Sequence, residues 1–139
     1  MLSNKMDPKD FLISYLNDFS NLVKPDKNTV DQLEKVAHLL KTVHGEGKKA
    51  LVFGNGGSAA VASHFSVDLT KNAGVRCINF NEADLITCFA NDYGFERWVE
   101  KAVEFYGDES DVLIIISSSG SSENMLNGCK AARNKKFSA

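Results

Sequence analysis

The sequence predicts an α/β fold: a three-layer, doubly wound parallel sheet preceded by an N-terminal helical hairpin. Three observations carry that expectation. Short apolar runs at 50–53, 75–80 and 112–116 have the length and the branched side chains of buried strands. Each is followed by a segment with helical spacing, and strand–helix alternation marks a parallel sheet covered on both faces. Two of the strands lead directly into unusual loops, Gly54-Asn55-Gly56-Gly57-Ser58 and Ser117-Ser118-Ser119-Gly120-Ser121-Ser122.

Asp7 followed by Pro8 is a cap and first-turn pair, so a helix is expected from there. Phe11, Leu12, Tyr15, Leu16, Phe19, Leu22 and Val23 continue it at helical spacing, and Pro25 lies beyond its end. A second helix is expected to begin near Asn28, with Asp31 three residues later. It runs through Val30, Leu33, Val36, Ala37, Leu40 and Val43 and stops at Gly45 and Gly47. These two helices make the hairpin, residues 1–47, and the core occupies 48–139. In the core the spacing predicts a strand at 50–53, a helix over 59–72 closed by Gly74, and a strand at 75–80. Helices over 82–90 and 95–106 flank an Asn91-Asp92-Tyr93-Gly94 turn, then come a strand at 112–116 and a last helix over 123–133.

At 139 residues and 43% hydrophobic content the chain makes a single domain, 1–139. Sixteen basic and 18 acidic residues are mixed along it, giving a net charge of -2 without a basic stripe, so neither nucleic acid nor an anionic membrane is an expected partner. The start carries Lys5, Asp7, Lys9 and Asp10 where a secretory signal needs an apolar run, and no segment approaches the ~20 apolar residues of a membrane span. A cytoplasmic location is expected. Cys77, Cys88 and Cys129 lack paired metal-ligand or redox spacing, as suits free thiols in a reducing compartment.

The two loops follow strands and precede helices, so topology places both on the rim formed by the carboxyl ends of the strands, where ligands of such sheets collect. The glycine turn removes side chains where a ligand approaches backbone amides, and it opens a helix whose positive dipole end favours an anion. Tight turns also need glycine for steric reasons alone. The serine loop offers hydroxyls and free amides without a positive side chain, and these can hold a phosphate by hydrogen bonds. Its bland alternative is a solvated linker. His64 and Asp68, four apart on one helix, share a face and suit either a metal and proton transfer or an ordinary surface pair. Asn91 and Asp92 suit sugar hydroxyls or a helix cap. His38 and His44 are ordinary helix residues, and Trp98, Phe95, Phe105 and Tyr106 are packing surface.

Together, Gly54-Asn55-Gly56-Gly57-Ser58, residues 64–70, Asn91-Asp92-Tyr93-Gly94 and Ile116-Ser117-Ser118-Ser119-Gly120 resemble the sugar isomerase (SIS) family, specifically its phosphoheptose isomerase branch, from about Asp10 onward. The resemblance implies a homotetramer assembled partly through the N-terminal helices. It also implies isomerisation of sedoheptulose 7-phosphate to a mannoheptose 7-phosphate for lipopolysaccharide or capsule. By the same resemblance Ser58, Ser117, Ser118, Ser119 and Ser122 hold phosphate, Asn55 and Gly56 line the sugar beside Gly57, and Asn91 and Asp92 contact hydroxyls or a neighbouring subunit. His64 and Asp68 stand where relatives place a metal-binding His and a Glu that is metal ligand and acid/base. Zinc is therefore the implied cofactor, and no nucleotide is.

Two departures from the family are expected to matter. Asp68 is one methylene shorter than glutamate, which draws its oxygens back by ~1.5 Å, and Val67 replaces an acidic residue. The chain ends at Lys135-Lys136-Phe137-Ser138-Ala139, where a fourth strand is expected to begin. The last strands and a C-terminal helix with further site residues are then missing, and the third strand has an open edge. Two functions remain open: an isomerase, and a phosphosugar-binding module that does not turn its ligand over. A dinucleotide-binding fold could claim Gly54, Gly56 and Ala59, but Glu82 is the first acidic residue after the second strand and the serine loop has no role in that scheme.

Overall fold

Asp7 Oδ1 accepts the Lys9 backbone N–H at 2.8 Å and a proline fills the first turn, so helix α1 (Pro8–Leu22) starts where its cap and proline dictate. The computed structural model describes residues 7–138. The described chain forms a helical unit up to Lys35 and an α/β unit from Val36. In the helical unit α1 buries no residue; Phe11, Leu12, Tyr15, Leu16 and Phe19 are all more than half exposed. Helix α2 (Lys27–Gly45) is capped by Asp26 rather than Asn28. Asp26 Oδ1 accepts the Thr29 N–H at 3.0 Å, and Oδ2 accepts the Thr29 hydroxyl at 2.6 Å. The Thr29 hydroxyl, then its N–H, hold the Asp26 carboxyl below the usual carboxylate range. An ionised carboxylate is the stronger acceptor and gains from the helix dipole, which is why it outcompetes the asparagine.

In the α/β unit the end of α2 supplies Leu40 and Val43 to the core. There follow β1 (Ala50–Gly54), α3 (Gly57–Ala73), β2 (Cys77–Asn79), α4 (Ala83–Tyr93), a 3-10 turn at Phe95–Arg97, α5 (Trp98–Tyr106), β3 (Val112–Ile116) and α6 (Glu123–Asn134). The three strands are parallel in the order β2-β1-β3, with Ala50 level with Cys77 on one side and Val112 on the other. The central strand β1 is buried throughout, as its unbroken apolar run requires.

Strand alternation assigns the layers. Leu51 and Phe53 point into a core with Phe80, Trp98, Val99, Val103 and Met125, whereas Ala50 packs with Leu40, Val75, Leu69 and Ile114 on the other face. The sheet thus lies between the end of α2 with α3 on one side and α4, α5 and α6 on the other. Phe53 anchors the larger core, stacked on Phe80 at 5.0 Å and edge-on to Trp98 at 5.6 Å. Such aromatic pairs contribute about 0.5–1.5 kcal/mol beyond area burial. Trp98 is packing, as expected. At the amino ends of the strands, Asp111 is 1% exposed and accepts the Lys49 N–H at 3.0 Å, the Asp108 N–H at 2.8 Å and the Lys49 ammonium at 2.6 Å. No helix among the described residues is long and apolar enough to cross a membrane.

Candidate functional site

Strands β1 and β3 end side by side, with Gly54 level with Ile116. From β1 the chain passes through α3 to β2, then returns through α4 and α5 to β3, so the carboxyl ends of β1 and β3 flank the point where the connections diverge. Ligands of open α/β sheets bind at such points. The glycine and serine loops both leave from it, on the rim where the order of elements puts them. Asn55, Ser58, Ile116, Ser117, Ser118, Ser119, Ser122 and Met125 line a cavity of about 60 Å³ there. It is a small recess, with room for a compact group such as a phosphoryl.

The cradle depends on close backbone approach. A Cβ on Gly54 would lie 2.5 Å from the Ser58 carbonyl carbon and oxygen, so the first turn of α3 can be drawn onto the end of β1 only because this residue has no side chain. Gly56 holds a φ of +54°, which turns the chain into the helix. As the N-cap of α3 it has no side chain with which to cap; Ser122, the N-cap of α6, makes no side-chain cap bond either. Two helix N-termini therefore bring the positive ends of two dipoles to the cavity that Ser58 and Ser122 line.

The serine loop is arranged as a set of donors. Ser117 Oγ accepts the Gly120 N–H at 3.1 Å and Ser119 Oγ accepts the Ser121 N–H at 3.2 Å. With a lone pair so engaged, each hydroxyl proton is left to donate outward. Among the described residues no lysine, arginine or histidine lines the cavity, so an anion there would be held by neutral hydroxyls, amides and dipoles.

Sequence reasoning missed the residue that joins the two loops. Asn124, 3% exposed in the first turn of α6, exchanges two hydrogen bonds with Asn55: Asn55 Nδ2 donates to Asn124 Oδ1 at 3.1 Å, and Asn124 Nδ2 donates to Asn55 Oδ1 at 2.9 Å. A polar residue two places after a helix cap gives no sign of a partner 69 positions away. Also missed was the brace of α3: Asn81 Nδ2 donates to the Ala59 carbonyl at 2.8 Å and to Ser63 Oγ at 2.7 Å, and Asn79 Nδ2 donates to Ser66 Oγ at 2.8 Å. These bonds tie the start of α3 to the end of β2.

A family model described as the SIS domain matches residues 14–138. The chain belongs to the SIS-domain family. Among its curated relatives are the phosphoheptose isomerases of Fusobacterium nucleatum, 37% identical over 89% of this chain and 68% of that protein, and of Cytophaga hutchinsonii, 34% identical over 84% and 63%. A solved phosphoheptose isomerase from Francisella tularensis superposes with a TM-score of 0.81 at 27% identity, covering 95% of this chain and 73% of that one. This SIS domain thus spans about two thirds of the length of its curated relatives.

Within the SIS domain, two pairs of expected site residues lie elsewhere than the sequence suggests. His64 and Asp68 do share a face of α3, Nε2 to Oδ2 at 3.5 Å, but it is the solvent face: their side chains are 80% and 52% exposed and neither lines the cavity. Packing decides this, since Ala62 and Ser66 take the inward face of the same helix. Asn91 and Asp92 form the last turn of α4 rather than a loop, because the helix continues to Tyr93 and the chain turns only at Gly94. Both are exposed, bonded to each other through Asn91 Nδ2 and Asp92 Oδ1 at 2.9 Å, and outside the cavity. A zinc ion finds an incomplete donor set: His64 and Asp68 offer two ligands, and no group of three His, Cys, Asp or Glu comes together among the described residues. A protein zinc site takes three or four.

Proposed function

We infer that this SIS domain is a phosphoheptose isomerase that converts sedoheptulose 7-phosphate to a mannoheptose 7-phosphate. The observation that carries the inference is the small cavity at the sheet's divergence point, lined among the described residues by hydroxyls and amides without a cation, in a chain 37% identical to a phosphoheptose isomerase. Ser58, Ser117, Ser118, Ser119 and Ser122 would hold the phosphate, with Gly56 and Gly57 leaving the backbone open and Asn55 turned to the sugar. A carboxylate must then take a proton from C1 of the ketose, giving an enediolate, and the proton must return to C2 while the O1 proton passes to O2 as the aldehyde forms at C1.

Asp68, with His64 beside it, is the carboxylate proposed for that transfer. Both are exposed, and so are Val61 and Val67 on the same helix, at 56% and 52%. A second copy laid on this face would cover the valines and shelter the carboxylate, so the working enzyme is proposed to be a homo-oligomer. The exposed apolar side chains of α1 offer a further self-association surface, enough for a tetramer. Asn91 and Asp92 would meet the substrate or a neighbouring copy only in that assembly. A cytoplasmic location is proposed from the three free cysteines.

The test follows sedoheptulose 7-phosphate by NMR in deuterated buffer. Aldose formation with deuterium entering at C2, lost in Asp68→Asn, is the expected result. Ser119→Ala should weaken phosphosugar binding by about tenfold, the effect of one hydrogen bond to a charged group. A second function is favoured by one observation, that among the described residues no ionisable side chain lines the cavity: a phosphosugar-binding module. Saturable binding without any exchange would establish that function instead.

A further inference from the structure

We propose that Asn124 is a positioning residue, setting the rotation of the Asn55 amide so that its one spare N–H faces the sugar. The proposal rests on the isomerase function inferred above. Asn55 lines the cavity and Asn124 does not, so Asn124 reaches the ligand only through its partner.

A terminal carboxamide turns about a broad, roughly two-fold torsion and can present N–H or C=O to the same point. Here the choice is removed one bond at a time. The Met125 backbone N–H can only donate, and it is shared between the Ser122 carbonyl at 3.0 Å and Asn124 Oδ1 at 3.1 Å, which favours oxygen at that end of the Asn124 amide. Asn55 Nδ2 then donates to that oxygen at 3.1 Å while Asn124 Nδ2 donates to Asn55 Oδ1 at 2.9 Å. Neither amide can flip without setting oxygen against oxygen and N–H against N–H. One N–H of Asn55 Nδ2 remains unpaired, on a side chain at the cavity. Burial of Asn124, at 3% exposure, keeps water from competing for the pair.

The experiment is titration calorimetry on the full chain with two probes, sedoheptulose 7-phosphate and inorganic phosphate, for the wild type, Asn124→Leu, Asn55→Ala and the double variant. Asn124→Leu is expected to weaken the sugar phosphate about tenfold, the worth of one well-placed hydrogen bond, and to leave inorganic phosphate within about twofold. Asn55→Ala should do the same, and the double variant should be no worse than either, because the two residues act as one unit. Should the leucine prevent cooperative melting, Asn124→Ala, which only removes atoms, carries the same expectation. Losses that multiply in the double variant, or an equal loss of inorganic phosphate, would overturn the proposal by showing that Asn124 acts on the fold rather than through Asn55. A wild type that binds inorganic phosphate but not the heptulose phosphate refutes the isomerase function, and that failure is visible before any variant is compared.

Discussion

Replacing Gly54 by alanine tests whether the approach of α3 to β1 makes the cradle. The added Cβ would stand 2.5 Å from the Ser58 carbonyl carbon and oxygen and 2.8 Å from the Ala59 nitrogen, against an ordinary contact of 3.4 Å. All three are backbone atoms, so no rotamer relieves the clash. The first turn of α3 must retreat by roughly 1 Å, carrying Ser58 with it. Overpacking of this size costs about 1–3 kcal/mol of stability, and losing a hydrogen bond to the anion costs about 1.5–3 kcal/mol, up to roughly a hundredfold in affinity. Gly57→Ala is the control, since nothing lies within 4 Å of its Cβ and the helix should keep its place. Calorimetry with inorganic phosphate, alongside thermal melts, should show Gly54→Ala binding about a hundredfold more weakly and Gly57→Ala melting like the wild type. A Gly54→Ala protein that binds phosphate within about threefold of the wild type would refute the reasoning: the first turn of α3 would not be what holds the anion.

Asp111→Ala should lower stability by about 3 kcal/mol in urea melts, the low end for breaking a buried ion pair, because Lys49 keeps its exposed partner Asp108 at 2.6 Å. For Lys49, burial pulls the ammonium down but the hydrogen bonds it donates to Asp108 and Asp111 outweigh it, and its pKa is raised above the usual 10.5. A raised pKa stabilises fully below the unfolded value and loses that contribution as pH climbs through the folded one, so wild-type stability should fall above about pH 10.5 and Lys49→Met should flatten that fall. Burial pushes the Cys77 thiol up to about 11. Thiol labelling at pH 8 should therefore modify exposed Cys88 first and leave Cys77 largely unreacted.

Much of the fold is legible along the chain because its signals are local. Asp7-Pro8 starts α1, the branched run 112–116 is β3 residue for residue, and Gly74 ends α3. The rim follows from element order alone, so the glycine and serine loops could both be placed on it before any coordinates. Local signals fail where two candidates compete. Asp26 and Asn28 both suit a cap, and the carboxylate wins. Asn91 and Asp92 suit a turn, but they are absorbed into α4, whose chain turns only at Gly94.

What tertiary structure decided is which face of each element meets which partner. The four-residue spacing of His64 and Asp68 puts them on one face of a helix, but their exposure depends on Ala62 and Ser66 packing inward, a serine buried while Val61 and Val67 face solvent. The pairing of Asn55 with Asn124 likewise needs β1 and β3 to be neighbours across 69 residues. Periodicity and caps are set by residues a few positions apart, and so the sequence by itself determined the elements, their order and the rim. Contacts between distant segments arise only when the sheet assembles, and so the fold alone determined the lining of the cavity, the amide pair that spans it, and the exposure of the proposed base.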